Sequence, residues 1–148
     1  VRGHFGIGIV AAKTPANVGT LWRSAHAMSA AFIFTVGHRY GKQASDTVKA
    51  WRSIPLFEYE TSVEMVSALP KDAKLIGIEY PGDVSLPDFC HPQQAVYLLG
   101  AEDRGLSNDE KDMCDHIVTI PTDRCINVAV AGSIVIYDRI AKAGGCFK

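Results

Sequence analysis

Ile120–Asp138 reads IPTDRCINVAVAGSIVIYD, a strand end, a charged loop and a long apolar run with no spacer between them. From Ile126 to Ala143 the apolar residues fall on nearly every side of a helix. Such a helix is buried by its own fold or by a second subunit. Ala129, Ala131, Gly132 and Ser133 would admit another helix closely. The loop sets Asp123, Arg124, Cys125 and Asn127 directly against this apolar element, so the junction is expected to hold a ligand or a partner. Asn127 stands where it either caps the helix or turns its amide into a site. Asp123 and Arg124 either pair with each other or meet a substrate.

Outward from this junction, strands and helices alternate. His116–Pro121 is the last strand. Before it, Ser107 caps a short helix over NDEKDMC with acids in its first turn, as the helix dipole prefers. Ala95–Gly100 and Lys74–Tyr80 are strands, the latter stopped by Pro81-Gly82. SVEMVSALP is a short helix and LFEYE a weak strand. Ala31–Gly37 is a continuous apolar strand. Asn17–Ala30 is a helix read as capped by Asn17. His4–Ala12 is a strand with Phe5, Ile7 and Ile9 on one face. His38–Pro55 is polar, basic and aromatic, with a short helix from Ser45. About six strands alternating with helices predict an α/β fold, a mostly parallel sheet with helices on both faces. Ligands of such sheets gather beyond the carboxyl ends of the strands, here the loops after Ala12, Gly100 and Pro121.

The chain has 148 residues, 47% hydrophobic and 21% charged. That is enough for one domain, residues 1–148, with a full core. No apolar stretch is long enough to span a bilayer. The opening VRGHFGIGIVAAK alternates like a strand and lacks the small-residue cleavage site of a leader. The four cysteines, Cys90, Cys114, Cys125 and Cys146, form no C-x-x-C pair. Scattered thiols point to a reducing, cytoplasmic setting. The five histidines lack metal spacing, and no metal site is expected. The net charge of −1 conceals an asymmetry. Arg2, Lys13, Arg23, Arg39, Lys42, Lys49 and Arg52 face a single acid, Asp46, in the first third. A cationic segment of this kind attracts phosphates. No G-x-G-x-x-G, P-loop or G-x-S-x-G fingerprint occurs.

Three segments carry the chemistry. In PANVGTLWRSA, Asn17 at a helix start leaves N–H groups free, Gly19 admits an anion and Arg23 is placed to hold a phosphate along the same edge. In LLGAEDRGLS, a buried strand ends in Gly100, then Glu102 and Gly105, small residues that suit a flat ligand. The third is the opening junction.

In this order the three segments resemble the motifs of SPOUT-class RNA methyltransferases, in the SpoU/TrmH branch that methylates ribose 2′-hydroxyls. The first motif, Asn-x-Gly-x-x-x-Arg, is matched by Asn17, Gly19 and Arg23. The second, Gly-x-Glu-x-x-Gly-Leu after a strand, is matched by Gly100, Glu102, Gly105 and Leu106. The third, Ile-Pro, a short loop, then Ser-Leu-Asn-Val-Ser/Ala-x-Ala, is matched by Ile120, Pro121, Ile126, Asn127, Val128, Ala129 and Ala131. The family's usual Ser is Cys125 here, a weaker hydrogen-bond donor. The resemblance implies a minimal, catalytic-domain member with a deep C-terminal trefoil knot. It implies S-adenosylmethionine held by Ile78, Glu79, Leu99, Gly100, Ala101, Glu102, Gly105, Ile120, Pro121, Cys125, Ile126, Asn127 and Ala129. It implies a tRNA or rRNA substrate and a homodimer through the first and last helices. Arg23 would contact the target ribose and its phosphate, with Asn17, Glu102 and Asn127 ordering the loops. Arg2, Lys13, Arg39, Lys42 and Arg52, with Lys49, would draw RNA, and Tyr40 and Trp51 are candidates to stack on unpaired bases. A base-nitrogen methyltransferase, a non-catalytic RNA- or cofactor-binding dimer and a flavodoxin-like protein are the alternatives.

Overall fold

A computed structural model of the chain describes residues 3–37 and 54–143. Among these residues seven strands form one sheet: β1 (His4–Val10), β2 (Phe32–Val36), β3 (Leu56–Tyr59), β4 (Lys74–Ile78), β5 (Val84–Ser85), β6 (Gln94–Leu99) and β7 (His116–Thr119). Their order is β3-β2-β1-β6-β4-β7-β5, and every pairing is parallel. The strand not anticipated from sequence is β5. Two residues carry no periodicity, and Val84 becomes a strand only by pairing with Val118.

Among the described residues there are four α-helices: α1 (Pro15–Ala27), α2 (Ser62–Ala68), α3 (Asn108–Met113) and, after the last strand, α4 (Val128–Ala141). The sheet separates two apolar layers, as alternation along a strand requires. On one side Phe5, Ile7, Ile9, Ile76 and Leu99 pack with Leu21 and Ala25 of α1 and with Ala129, Val135 and Ile136 of α4. On the other Val10, Phe34, Leu75 and Leu98 pack with Met65 of α2 and with Leu106 and Met113.

Helix α4 is half buried and half bare. Gly132 lies so close to α1 and the sheet that a Cβ there would stand 2.6 Å from Leu21 Cδ1 and 2.9 Å from Leu99 Cδ1. The small residues of the apolar run therefore serve the chain's own core. On the opposite side Val130, Ile134 and Tyr137 are 48%, 38% and 66% exposed.

Two readings need correction. Helix α1 begins at Pro15, with Thr14 at the cap position and no side-chain cap bond. Proline's fixed φ and missing N–H suit a first helical position, so the helix starts before Asn17 and Asn17 does not cap it. Cys90 is disulfide-bonded, so the cysteines are not four isolated thiols; Cys114 and Cys125 are free. The expected helix from Ser45 and the Gly144-Gly145 stop lie outside the described residues. Among the described residues no helix is long and apolar enough to cross a membrane.

Candidate active site

Because the strands run parallel, the carboxyl ends of β1, β6, β4 and β7 share one edge of the sheet. The loops leaving β4, β6 and β7 enclose a cleft of about 550 Å³ there. Of the residues expected to hold a cofactor, Ile78, Glu79, Leu99, Gly100, Ala101, Glu102, Gly105, Ile120, Cys125, Ile126 and Asn127 line it. Pro121 and Ala129 do not; Ala129 is wholly buried on the core face of α4. Tyr80, Asp103, Arg104 and Thr122 also line the cleft and were not among the residues singled out from sequence; Val128 and Ala131, matched there to the third motif, line it too.

A chain of hydrogen bonds ties the three motif segments together at the rim. Asn127 Oδ1 accepts from the backbone N–H of Ala129 at 2.9 Å and of Val130 at 3.2 Å, capping α4. Its Nδ2 donates to Asn17 Oδ1 at 2.9 Å. Asn17 Nδ2 in turn donates to Glu102 Oε1 at 2.7 Å, and Lys13 N donates to Glu102 Oε2 at 3.3 Å. Of the two roles expected of Asn127 the cap is present, and the other end of its amide is engaged by Asn17. An amide offers an acceptor and a donor at opposite atoms, so one end caps while the other reaches across to α1. Burial pushes the Glu102 carboxyl up, but the hydrogen bonds it accepts outweigh this and hold it below its ordinary value. Asp103, paired with Lys13 Nζ, is likewise held low, chiefly by that bond.

Glu79 fastens the cleft from the β4 side. Its Oε2 accepts from Leu106 N at 2.6 Å and its Oε1 from Tyr80 N at 2.9 Å. Gly105 has φ +66°, and a Cβ there would fall 2.1 Å from Glu79 Oε2. Only glycine meets both demands without strain. Gly105 N donates to Ala101 O at 2.9 Å. A Cβ on Gly100 would strike the Gly105 backbone at 2.4 Å. The small residues here let the loop close on itself, and not simply on a flat ligand. Beyond it Ser107 and Glu110 form a reciprocal cap of α3, and Arg104 pairs with Glu110 at 2.9 Å.

Arg23 is exposed on α1 and does not line this cleft. Six residues of α-helix advance about 9 Å and turn about 120° from Asn17, so the two do not share one edge. Lys13 is exposed at the rim. Arg2, Arg39, Lys42, Lys49, Arg52, Tyr40 and Trp51 lie outside the described residues. Among the described residues no group of His, Cys, Asp or Glu is arranged to hold a metal ion.

Residues 5–137 match the SpoU rRNA Methylase family. The chain belongs to this family. It is 27% identical over 140 residues to the 23S rRNA (uridine(2479)-2′-O)-methyltransferase of Streptomyces viridochromogenes, covering 86% of this chain and 49% of the relative. It is 29% identical over 135 residues to an uncharacterized tRNA/rRNA methyltransferase of Mycobacterium leprae, covering 84% of this chain and 43% of that protein. The chain therefore spans about half the length of the curated relatives it matches. Among solved structures, the SpoU methyltransferase AviRb of S. viridochromogenes in complex with AdoMet superposes with TM-score 0.82 at 26% identity, over 96% of this chain and 59% of that one. A structure concerned with 2-OH methylation of C/U34 on tRNA shares the fold along its whole length, with TM-score 0.80 at 20% identity and 98% and 99% coverage.

Proposed function

We propose that this SpoU chain transfers a methyl group from S-adenosylmethionine to a ribose 2′-hydroxyl of tRNA or rRNA. The observation that carries this reading is the Glu102–Asn17–Asn127 bond chain, which draws three sequence-distant motifs to the lip of one cleft. The cleft fits the methyl donor chemically. Its floor is apolar where Ile78, Leu99 and Val128 are buried, which suits an adenine. Carboxylates of Glu79, Glu102 and Asp103 stand around it, which suits a sulfonium and an ammonium. The bound methyl donor would supply an activated methyl for in-line displacement by the ribose oxygen.

The chain's own residues position and order. Glu79 holds the β6–α3 loop, Asn127 and Asn17 hold the β7–α4 loop to α1, and Glu102 links both. Positioning of this kind supplies much of the rate of a displacement. Arg23 holds the target ribose and its phosphate. Arginine stays protonated, so a phosphate oxygen of the RNA takes the hydroxyl proton. Arg23 does not line the cleft of its own chain, which supports a homodimer that brings it to a site. The bare stripe of α4 supports the same assembly. Residues 1–148 are taken as one catalytic domain acting in the cytoplasm. The C-terminal segment is taken to be knotted; the insertion of β7 between β4 and β5 is consistent with a threaded path.

The decisive experiment incubates the protein with methyl-labelled S-adenosylmethionine and bulk RNA from cells lacking it, followed by nuclease digestion and mass spectrometry. A 2′-O-methylated nucleoside is expected. A base-methylated nucleoside would move the target to a ring nitrogen, and no transfer despite binding of RNA and methyl donor would leave a non-catalytic module. Arg23→Ala should lower transfer roughly a hundredfold while calorimetric affinity for the methyl donor stays within twofold.

A further inference from the structure

Tyr80 is 78% exposed, the most exposed large apolar side chain among the described residues, yet it stands at the wall of the cleft. Its phenol oxygen makes no hydrogen bond among the described residues, so neither packing nor a polar contact explains its placement.

The backbone that carries it is held firmly. Tyr80 N donates to Glu79 Oε1, and Glu79 N donates to Val118 O at 3.1 Å. Thr119 Oγ1 donates to Glu79 O at 2.7 Å. On the far side Asp83 N donates to Ile117 O at 2.8 Å. The ring is thus an aromatic plate on a mount bonded to β7 at both ends. Across the same cleft the β7–α4 loop contributes Ile126, itself 38% exposed. A small molecule resting on the buried floor of Ile78, Leu99 and Val128 would leave a ring this exposed mostly in water. A polymer crossing the rim would cover it.

We propose that Tyr80 stacks on a nucleobase of the RNA target at the mouth of the cleft, an inference that rests on the RNA-modifying reading above. Every base presents a π-face to an aromatic plate, so such stacking secures the strand while tolerating sequence. The ring fixes the nucleotide, and with it the ribose oxygen, over the methyl donor. It thereby supplies an aromatic contact at the site itself, independent of Tyr40 and Trp51.

The test measures affinity for a short, fluorescein-labelled, single-stranded RNA of mixed sequence, by anisotropy with S-adenosylhomocysteine present. Tyr80→Ala should weaken binding about tenfold, and Tyr80→Phe should restore it to within twofold. Calorimetric affinity for S-adenosylmethionine should stay within twofold in both variants. The proposal falls if Tyr80→Ala leaves RNA affinity unchanged or if the wild type does not bind the probe. It falls equally if the variant weakens the methyl donor as much as the RNA, since the ring would then cover the small molecule. Methyl transfer by the same preparations reports separately on the catalytic reading: transfer with a silent Tyr80 keeps that reading and ends this one, and stacking without transfer does the reverse.

Discussion

At the scale of the residue, Asn127 does two jobs with one amide. Its Oδ1 caps α4, and its Nδ2 holds Asn17. The two are separable by substitution. Asn127→Ala removes both and should cost about 1 kcal/mol of stability through the lost cap, together with affinity for the methyl donor. Asn127→Asp keeps the capping oxygen but removes the donor, and sets a carboxylate oxygen against Asn17 Oδ1. Thermal unfolding should find Asn127→Asp nearer the wild type than Asn127→Ala. Calorimetry should find both weaker for S-adenosylmethionine. If the Asp variant binds as tightly as wild type, the bond to Asn17 does not order the site. The Cys125 thiol is exposed in the cleft wall, and the bond chain at the rim does not pass through it.

At the scale of the element, α4 is an apolar helix with two fates. Ala129, Gly132, Val135 and Ile136 enter the core against α1 and the sheet. Val130, Ile134 and Tyr137, spaced four and three residues apart, form a stripe facing water. Burying such a stripe favours association by about 25 cal/mol for each Å² removed from water. A second copy is the proposed occupant. Ile134→Glu should convert a dimer to a monomer in sedimentation velocity, with methyl transfer falling alongside if Arg23 acts across the interface. A wild type that sediments as a monomer at micromolar concentration would remove this assembly.

At the scale of the whole molecule, a buried polar network binds the far end of α4 to the sheet. His91 is fully buried, with Nδ1 2.6 Å from the Tyr97 hydroxyl and Nε2 2.8 Å from Asp138 Oδ2. Arg139 donates to the same Tyr97 oxygen at 3.0 Å, to Pro92 O and to Gln93 O, and Lys142 pairs with Asp138. Arg139 only donates, so each of these contacts pairs a donor with an acceptor when Tyr97 gives its proton to His91 Nδ1 and His91 Nε2–H donates to Asp138. That arrangement holds a neutral imidazole. Burial pushes its pKa below 6.5, against the pull of Asp138, with Arg139 and Lys142 adding to the lowering. Tyr97 is pushed up to about 12, chiefly by burial. The unfolded chain binds a proton at His91 before the native one does. Stability from this group is complete above about pH 6.5 and declines as pH falls, by at most about 1.4 kcal/mol per unit for one proton. The melting temperature should fall between pH 6.5 and 5, above the window where carboxylates titrate. His91→Gln should flatten that decline even if it lowers the melting temperature throughout; an unchanged slope would show that His91 is not its source.

Much of this was legible in the chain itself. Among the described residues, apolar runs named six of the seven strands and three of the four α-helices, because burial period follows backbone geometry, and the Ser107 cap with its acidic first turn named α3. The Ser107 cap is written in a few adjacent residues, as is the approach of Gly132 in its size. The motif segments were recognisable because Gly105 and Asn127 answer local demands of a turn and a helix start. What the sequence determined was therefore the short-range part: elements, core faces and the residue types of the site. Neighbourhood was decided only by the tertiary structure. Strand order placed β6 between β1 and β4 and β7 between β4 and β5. That order made Asn17 a cross-link to residues 85 and 110 positions away, not a cap. It set Glu79 against Gly105 and mounted Tyr80 at the cleft. Such contacts depend on how loops leave a shared sheet edge, and no pattern within a single segment encodes which loops those will be.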